Sequence, residues 1–183
     1  MNDVMLDLET MGTSNDAAIV AIGAAEFDVV AGTIGEVFYY PIDLGSSVAE
    51  GGVIDAATVM WWLRQSDAAR EALYGRGDTL HIRQGLQAFT TWIYARGKDV
   101  KVWGNGVAFD NVILAQAYRR LRLPVPWQHW NDRCYRTVKA MYPDIQLQRT
   151  GVHHNAGDDA VSQAKHLLQI LAAQRDQEYT YEQ

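Results

Sequence analysis

One cysteine, Cys134, is all that this chain of 183 residues carries. That excludes an internal disulfide framework and makes a reducing cytoplasm the expected setting. No cysteine–histidine cluster offers zinc a site. No apolar run approaches the ~18 residues of a membrane span, and the start lacks the basic-then-apolar pattern of a signal peptide. Positive charge is also scarce: 16 Lys and Arg against 22 Asp and Glu leave a net charge of -6. Broad attraction to nucleic acid or anionic membrane is therefore not expected, although a local basic groove remains open. No repeat, low-complexity tract or long linker divides the chain. What is present, 48% apolar and 21% charged residues, suits one folded domain over residues 1–175, with 176–183 as a loose tail.

Three strand-like runs open the chain, "VMLDLE", "AIVAIGAAEFD" and "EVFYYPID", separated by turn-rich "TMGTSND" and "VVAGTIG". Connections that short suit antiparallel neighbours. Helical patterns follow: "DAATVMWWLRQ" with Asp55 as its cap, "SDAAREALYG" over 66–75, and "TLHIRQGLQAFTTWIYARG" ending at Gly97. "VKVWGNG" reads as a short strand over 100–103. A helix over "FDNVILAQAYRRLRL" ends before Pro124, "DRCYRTVKAMYP" reads as a helix capped by Asp132, and a long last helix covers 155–175. Three strands, then strands alternating with helices, predict an α/β fold whose mixed sheet is covered on both faces.

Within the first strand, Asp7 and Glu9 flank a single leucine, so both side chains share one face. Two acids that close repel, and burying either without compensation costs several kcal/mol. The helix after "WGNG" repeats the anomaly: Asp110 stands three and four residues before Ile113 and Leu114, inside the inward stripe they form with Ala117 and Leu121. A plain helix-start acid, favoured by the dipole, is the alternative there. In the last helix the stripe is Ala156, Ala160, Ala164, Leu167 and Leu171. Asp159 borders it. Asp158 points nearly opposite, at the third helical position after a cap at Asn155, where an acid assists capping. His154 just precedes the helix and can reach over its first turn; His153 reads as an exposed loop residue.

Carboxylate oxygens are hard ligands that suit Mg²⁺ or Mn²⁺. A group such as Asp7, Glu9, Asp110 and Asp159 can hold two divalent ions about 4 Å apart across an in-line phosphoryl displacement. One ion would acidify the attacking water, His154 would take its proton as general base, and the other ion would neutralise the leaving oxygen.

At these residues the chain resembles a known family. "DLET" with Asp7 and Glu9, "NGVAFD" with Asp110, and "HNAGDDA" with His154 and Asp159 look like the three motifs of the DEDDh 3'-to-5' exonucleases of the ribonuclease H-like superfamily. The motifs span residues 7 to 160 in the expected order. The opening "DLETMGTSNDAAIVAIGAAEFD" is similar to phage and prophage exonucleases and to a compact bacterial exoribonuclease. Many relatives carry a histidine where this chain has Gly104. The resemblance implies a five-stranded mixed sheet, its first three strands antiparallel, flanked by helices with the acids at one end. It further implies Mg²⁺ or Mn²⁺ as cofactor, a single-stranded nucleic acid 3' end as partner, and a homodimer by analogy. The expected activity is hydrolysis to 5'-mononucleotides, with the phage-like opening tipping the substrate toward DNA over RNA. The alternatives are an oligoribonuclease-like phosphodiesterase on very short oligonucleotides and a catalytically idle binding module of the same fold.

For substrate grip, the resemblance places Thr10, Met11 and Gly12 at the terminal nucleotide. Trp61 and Trp62 offer a stacking face by residue type, although adjacent helix positions point apart and at least one belongs to the core. Trp103 is expected to pack beneath the site. Asn105 either orients a ligand or forms the turn. Backbone phosphates have Arg64, the Arg119, Arg120 and Arg122 cluster, or Arg133, Arg136 and Lys139 to choose from.

Overall fold

The structure, a computed structural model, describes residues 1–74 and 79–181. β1 (Asp3–Thr10), β2 (Ile19–Asp28) and β3 (Thr33–Pro41) form an antiparallel meander. β4 (Lys101–Gly104) and β5 (Asp132–Cys134) add on in parallel, giving one five-stranded sheet of order β3-β2-β1-β4-β5. The ribonuclease H-like expectation of a mixed sheet with three antiparallel leading strands holds. β3 begins earlier than the hydrophobic run suggests, because Thr33 and Ile34 pair with Asp28 and Phe27 across a tight turn. That turn is closed by Asp28, whose Oδ1 accepts from the N–H groups of Val30 and Ala31, both at 2.8 Å.

Between β3 and β4 lie α1 (Leu44–Ala49), α2 (Ala56–Trp62), α3 (Asp67–Tyr74) and α4 (Ile82–Tyr94). Asp55 caps α2 as its type predicts, accepting from the N–H groups of Ala57 and Thr58. Gly75, the expected end of α3, lies outside the described residues. α4 starts later than its pattern suggests, because Leu80 is first engaged in a bridge to Ile42. After β4 come α5 (Asp110–Arg120), α6 (Tyr135–Met141) and α7 (Ala156–Tyr181), the last continuing beyond the end expected near residue 175.

Asp132 does not cap a helix. It starts β5, pairing with Val102, and its Oδ1 accepts from Asn111 Nδ2 and Trp127 Nε1, each at 2.8 Å. An acid suits either place, but here sheet pairing and two buried donors hold it in the strand, and the helix starts only at Tyr135.

The sheet separates two apolar layers. Val4, Leu6 and Leu8 meet α4 and α5 through Leu86, Phe89, Ile113, Leu114 and Ala117, all buried. On the other face Met5, Ala25 and Phe27 meet Tyr135 of α6 and Ala160, Ala164 and Leu167 of α7. The stripe read from the last helix is thus the surface that docks it. Trp103 packs in this second layer near Phe27, and its Nε1 donates to Asp3 Oδ1 at 2.8 Å.

Candidate active site

β1 and β4 stay paired only as far as Leu6↔Gly104. Beyond that point β1 overhangs, and Asp7 and Glu9 lie on the overhang, facing α7 as Met5 does. The Leu8 N–H, left without a β4 partner, donates instead to Asp110 Oδ1 at 3.2 Å. Asp110, the first residue of α5 and 2% exposed, is thereby held against the strand end. Gly104 is needed at the same point: a Cβ there would stand 2.3 Å from Asn111 Oδ1, so a larger residue would require Asn111 to move.

α7 is brought down by a second glycine. Gly23 lies opposite Asp7 in the β1–β2 register. A Cβ on Gly23 would fall 2.1 Å from the Ala156 carbonyl carbon and 2.4 Å from Gly157 N. The first turn of α7 therefore rests directly on the sheet beside Asp7. Asn155 caps that turn, its Oδ1 accepting from Gly157 and Asp158 N–H at 3.0 and 3.1 Å. Asp158 takes the structural part expected of it, accepting from Val152 N at 2.7 Å and closing the preceding loop.

Asp159 turns inward. One carboxylate oxygen each from Asp7, Glu9 and Asp159 lie within 4.8 Å of one another. Asp110 approaches from the α5 side and lines the same cavity of about 220 Å³. Asp159 Oδ1 is paired with Arg149 Nη1 at 2.6 Å, and its Oδ2 accepts the His154 N–H at 2.9 Å. One turn further along α7, buried Gln163 donates to Asp7 Oδ1 at 2.8 Å. Glu9 Oε1 and Asp110 Oδ2 are buried with no hydrogen-bond partner.

The electrostatics match that geometry. Burial first, then repulsion by Asp110, Glu9 and Asp159, drives the Asp7 carboxyl well above its ordinary range, against the bond from Gln163. Burial, then Asp159 and Asp110, pushes Glu9 up to about 8. Burial lifts Asp110 to about 7, opposed by backbone N–H groups including Leu8 and by Arg136. Arg149 and Arg136 offset this repulsion only in part, so the set calls for further positive charge. The four carboxylates offer hard oxygen donors, which suit a divalent cation such as Mg²⁺ or Mn²⁺, and His153 and His154 stand beside Asp159 as further donors.

His154 stands at φ 67°, a left-handed conformation in which non-glycine residues are strained by about 1–3 kcal/mol and which gathers at functional sites. Its ring is half-buried, 4.9 Å from the Trp61 ring and 5.8 Å from that of Trp62. Burial and the neighbouring His153 lower its pKa, with Asp159 partly opposing. His153 stacks on it at 3.6 Å and is exposed, as its loop position predicts.

Beside the acids opens a larger cavity of about 650 Å³, lined by Leu8, Glu9, Thr10, Gly12, Trp61, Phe109 and His154, among others. The two tryptophans part company. Both line the cavity, but Trp61 is 42% exposed on its wall, whereas Trp62 is 4% exposed and donates its Nε1 to Thr10 O at 2.9 Å. Thr10 Oγ1 bonds Gly12 O, which fixes the turn at the cavity edge. Met11 points elsewhere: its side chain packs with Val20, Trp62, Ala69 and Leu73, and its backbone bonds Ala18 and Asp55. Asn105 lines the smaller, acidic cavity, and its carbonyl accepts from Arg136 Nη2 at 2.6 Å.

Gln163, Arg149 and Phe109 are site residues that the sequence pattern did not single out. Gln163 follows Asp159 by four positions on the inward face of α7, so its placement was there to be found. Arg149 sits in a loop without periodicity and offered no such signal.

The family described as the 3'-5' exoribonuclease Rv2179c-like domain matches residues 2–171. The exodeoxyribonuclease of Enterobacteria phage T4 is 28% identical over 160 residues, covering 75% of this chain and 70% of that protein. Two solved structures share the fold across nearly the whole chain. The nuclease domain of 3'hExo, a DEDDh family member bound to rAMP, has a TM-score of 0.62 at 12% identity and covers 93% of this chain and 92% of its own. Exonuclease X, in complex with 5' overhanging duplex DNA, has a TM-score of 0.57 at 16% identity with the same coverage. With its acids brought together from three segments in the motif order already read, the chain belongs to the Rv2179c-like 3'-5' exoribonuclease domain family and is a 3'-5' exonuclease.

Proposed function

We propose that the protein removes 5'-mononucleotides from the 3' end of single-stranded nucleic acid, with Asp7, Glu9, Asp110 and Asp159 holding two Mg²⁺ or Mn²⁺ ions and His154 acting as general base. The observation that carries this reading is the pair of buried, unpartnered oxygens, Glu9 Oε1 and Asp110 Oδ2, within a cluster whose carboxyls are held up by burial and mutual repulsion. An unpaired buried carboxylate costs several kcal/mol, and divalent cations remove that cost.

When bound, the ions supply positive charge that makes an attacking water more acidic and neutralises charge growing on the leaving oxygen. The chain's own residues do the rest. Gln163 fixes the Asp7 carboxylate, and Leu8 N–H fixes that of Asp110. His154, its pKa lowered, is neutral at physiological pH and ready to accept a proton. The 650 Å³ cavity is of a size to take one nucleotide, with Trp61 and Phe109 as apolar faces and the turn at Thr10 and Gly12 as its wall.

The test is release of mononucleotides from end-labelled RNA and DNA strands of matched sequence, with Mg²⁺ and with Mn²⁺. Asp7→Asn and Asp159→Asn are each expected to lower turnover about 10³-fold or more while the protein stays folded. Undiminished turnover in either variant refutes the assignment.

A further inference from the structure

The polynucleotide must leave the acidic site on some surface, and a chain of net charge -6 has little to offer it. Several of the basic groups near the site are engaged or buried. Arg119 Nη1 donates to Gln116 Oε1, and Arg120 has its Nε and Nη1 buried. Arg133 turns its guanidinium back onto the carbonyls of Trp130 and Asp132. Arg149 is paired with Asp159.

Among the described residues lining the cavities at the acids, Arg136 is the arginine not paired with a carboxylate, and Lys139 lies beside it. α6 starts where β5 ends, beside the loop that follows β4, at the same end of the sheet as the acids. Its first turn carries Arg136, which lines the 650 Å³ cavity, the acidic cavity and a third cavity of about 510 Å³. That third cavity is lined by Asn105, Arg136, Lys139, Ala140 and Pro143, with no carboxylate among them. Arg136 is fixed by its 2.6 Å bond to Asn105 O, and among the described residues neither Arg136 nor Lys139 has an ion-pair partner. The two lie three positions apart on an exposed helix face, with Cβ atoms about 5–6 Å from each other. α6, "YRTVKAM", bears no acid.

We infer that Arg136 and Lys139 form a phosphate track: the nucleotides 5' to the scissile bond leave the acids along α6, their phosphodiesters meeting first Arg136 and then Lys139. This rests on the proposed exonuclease reading and adds to it a strand direction and a length. The terminal nucleotide lies on the Trp61 side, the scissile phosphate between the acids, and the next two phosphates on α6. Substrates gain from added nucleotides only until the track is filled, at three to four nucleotides.

The test reads binding apart from turnover. Fluorescence-labelled single strands of two and of five nucleotides are titrated onto the Asp7→Asn protein with Mg²⁺, from 50 to 200 mM salt, with and without Lys139→Gln or Arg136→Gln. Each phosphate contact on a single strand contributes about 0.7 to the salt slope. Each track substitution should therefore lower the slope for the pentamer by about 0.7, a factor of about 2.6 over that fourfold rise in salt, and shrink the affinity advantage of pentamer over dimer. Lys98→Gln, at the opposite end of the sheet, serves as the control. An unaltered slope and an unaltered length advantage in both track variants overturn the inference. Activity persisting in Asp7→Asn would instead overturn the catalytic assignment, so the two failures are told apart.

Discussion

Gly23→Ala probes how closely the last helix must rest on the sheet. A methyl at this position would meet the Ala156 carbonyl carbon at 2.1 Å, its oxygen at 2.2 Å and Gly157 N at 2.4 Å. All are backbone atoms, so no side chain can swing aside. The first turn of α7 has to withdraw by roughly 1.3 Å to reach ordinary contact at 3.4 Å, and Asp159 withdraws with it. Overpacking of this kind costs about 1–3 kcal/mol, offset in part by about 0.4–1 kcal/mol from a stiffer unfolded chain. For a domain of this size that lowers Tm by up to about 10 °C. The functional loss is larger in proportion, since a displacement near 1 Å in a reacting constellation costs about 100-fold in rate. The assays are kcat/KM on a short single strand with saturating Mn²⁺ and thermal unfolding of the same preparation. Wild-type kcat/KM together with an unchanged Tm would refute the seating of α7 on Gly23.

Glu9 and Asp110 are held at about 8 and about 7, above the ~4.3 and ~3.9 of an unfolded chain. The folded, metal-free protein therefore binds protons more tightly than the unfolded one, and this stability, full below about pH 4, is lost progressively as pH rises, the loss being complete above about pH 8. In chelator Tm should fall from pH 5 to 8.5, with Mn²⁺ restoring it most at the alkaline end; a flat or rising profile in chelator contradicts this. His154→Ala should lower kcat by about 10²–10⁴ while calorimetry still detects Mn²⁺ uptake; lost uptake would make the imidazole a ligand instead. Trp61→Ala should raise KM about 5- to 150-fold with Tm unchanged, as loss of one stacking face predicts. Trp62→Ala should cost about 3–5 kcal/mol of stability, and equal behaviour of the two variants would argue against their separate roles.

The acids were legible because each breaks a period. Asp7 and Glu9 interrupt an apolar strand, Asp110 falls within an inward stripe, and Asp159 borders one while Asp158 does not. Those patterns exist only because the elements bury one face. Asp132 was not legible, since the same residue type starts a helix or ends a loop, and β5 has only three residues to reveal a strand. The fates of Trp61 and Trp62 depend on which side of a seven-residue helix meets Thr10, a tertiary fact that adjacent positions do not encode. Arg149 reaches Asp159 from an irregular loop, where no period exists to be read.

The carboxylates come from β1, α5 and α7, so their order of synthesis has a consequence. The strand pair at Asp7 and the acid at Asp110 are made long before Asp159. Until α7 has emerged from the ribosome and settled on Gly23, the growing polypeptide lacks a quarter of its cluster and the histidine beside it. The full set of four acids therefore exists only once the chain has been made through Asp159 and the first turn of α7 has docked beside Asp7.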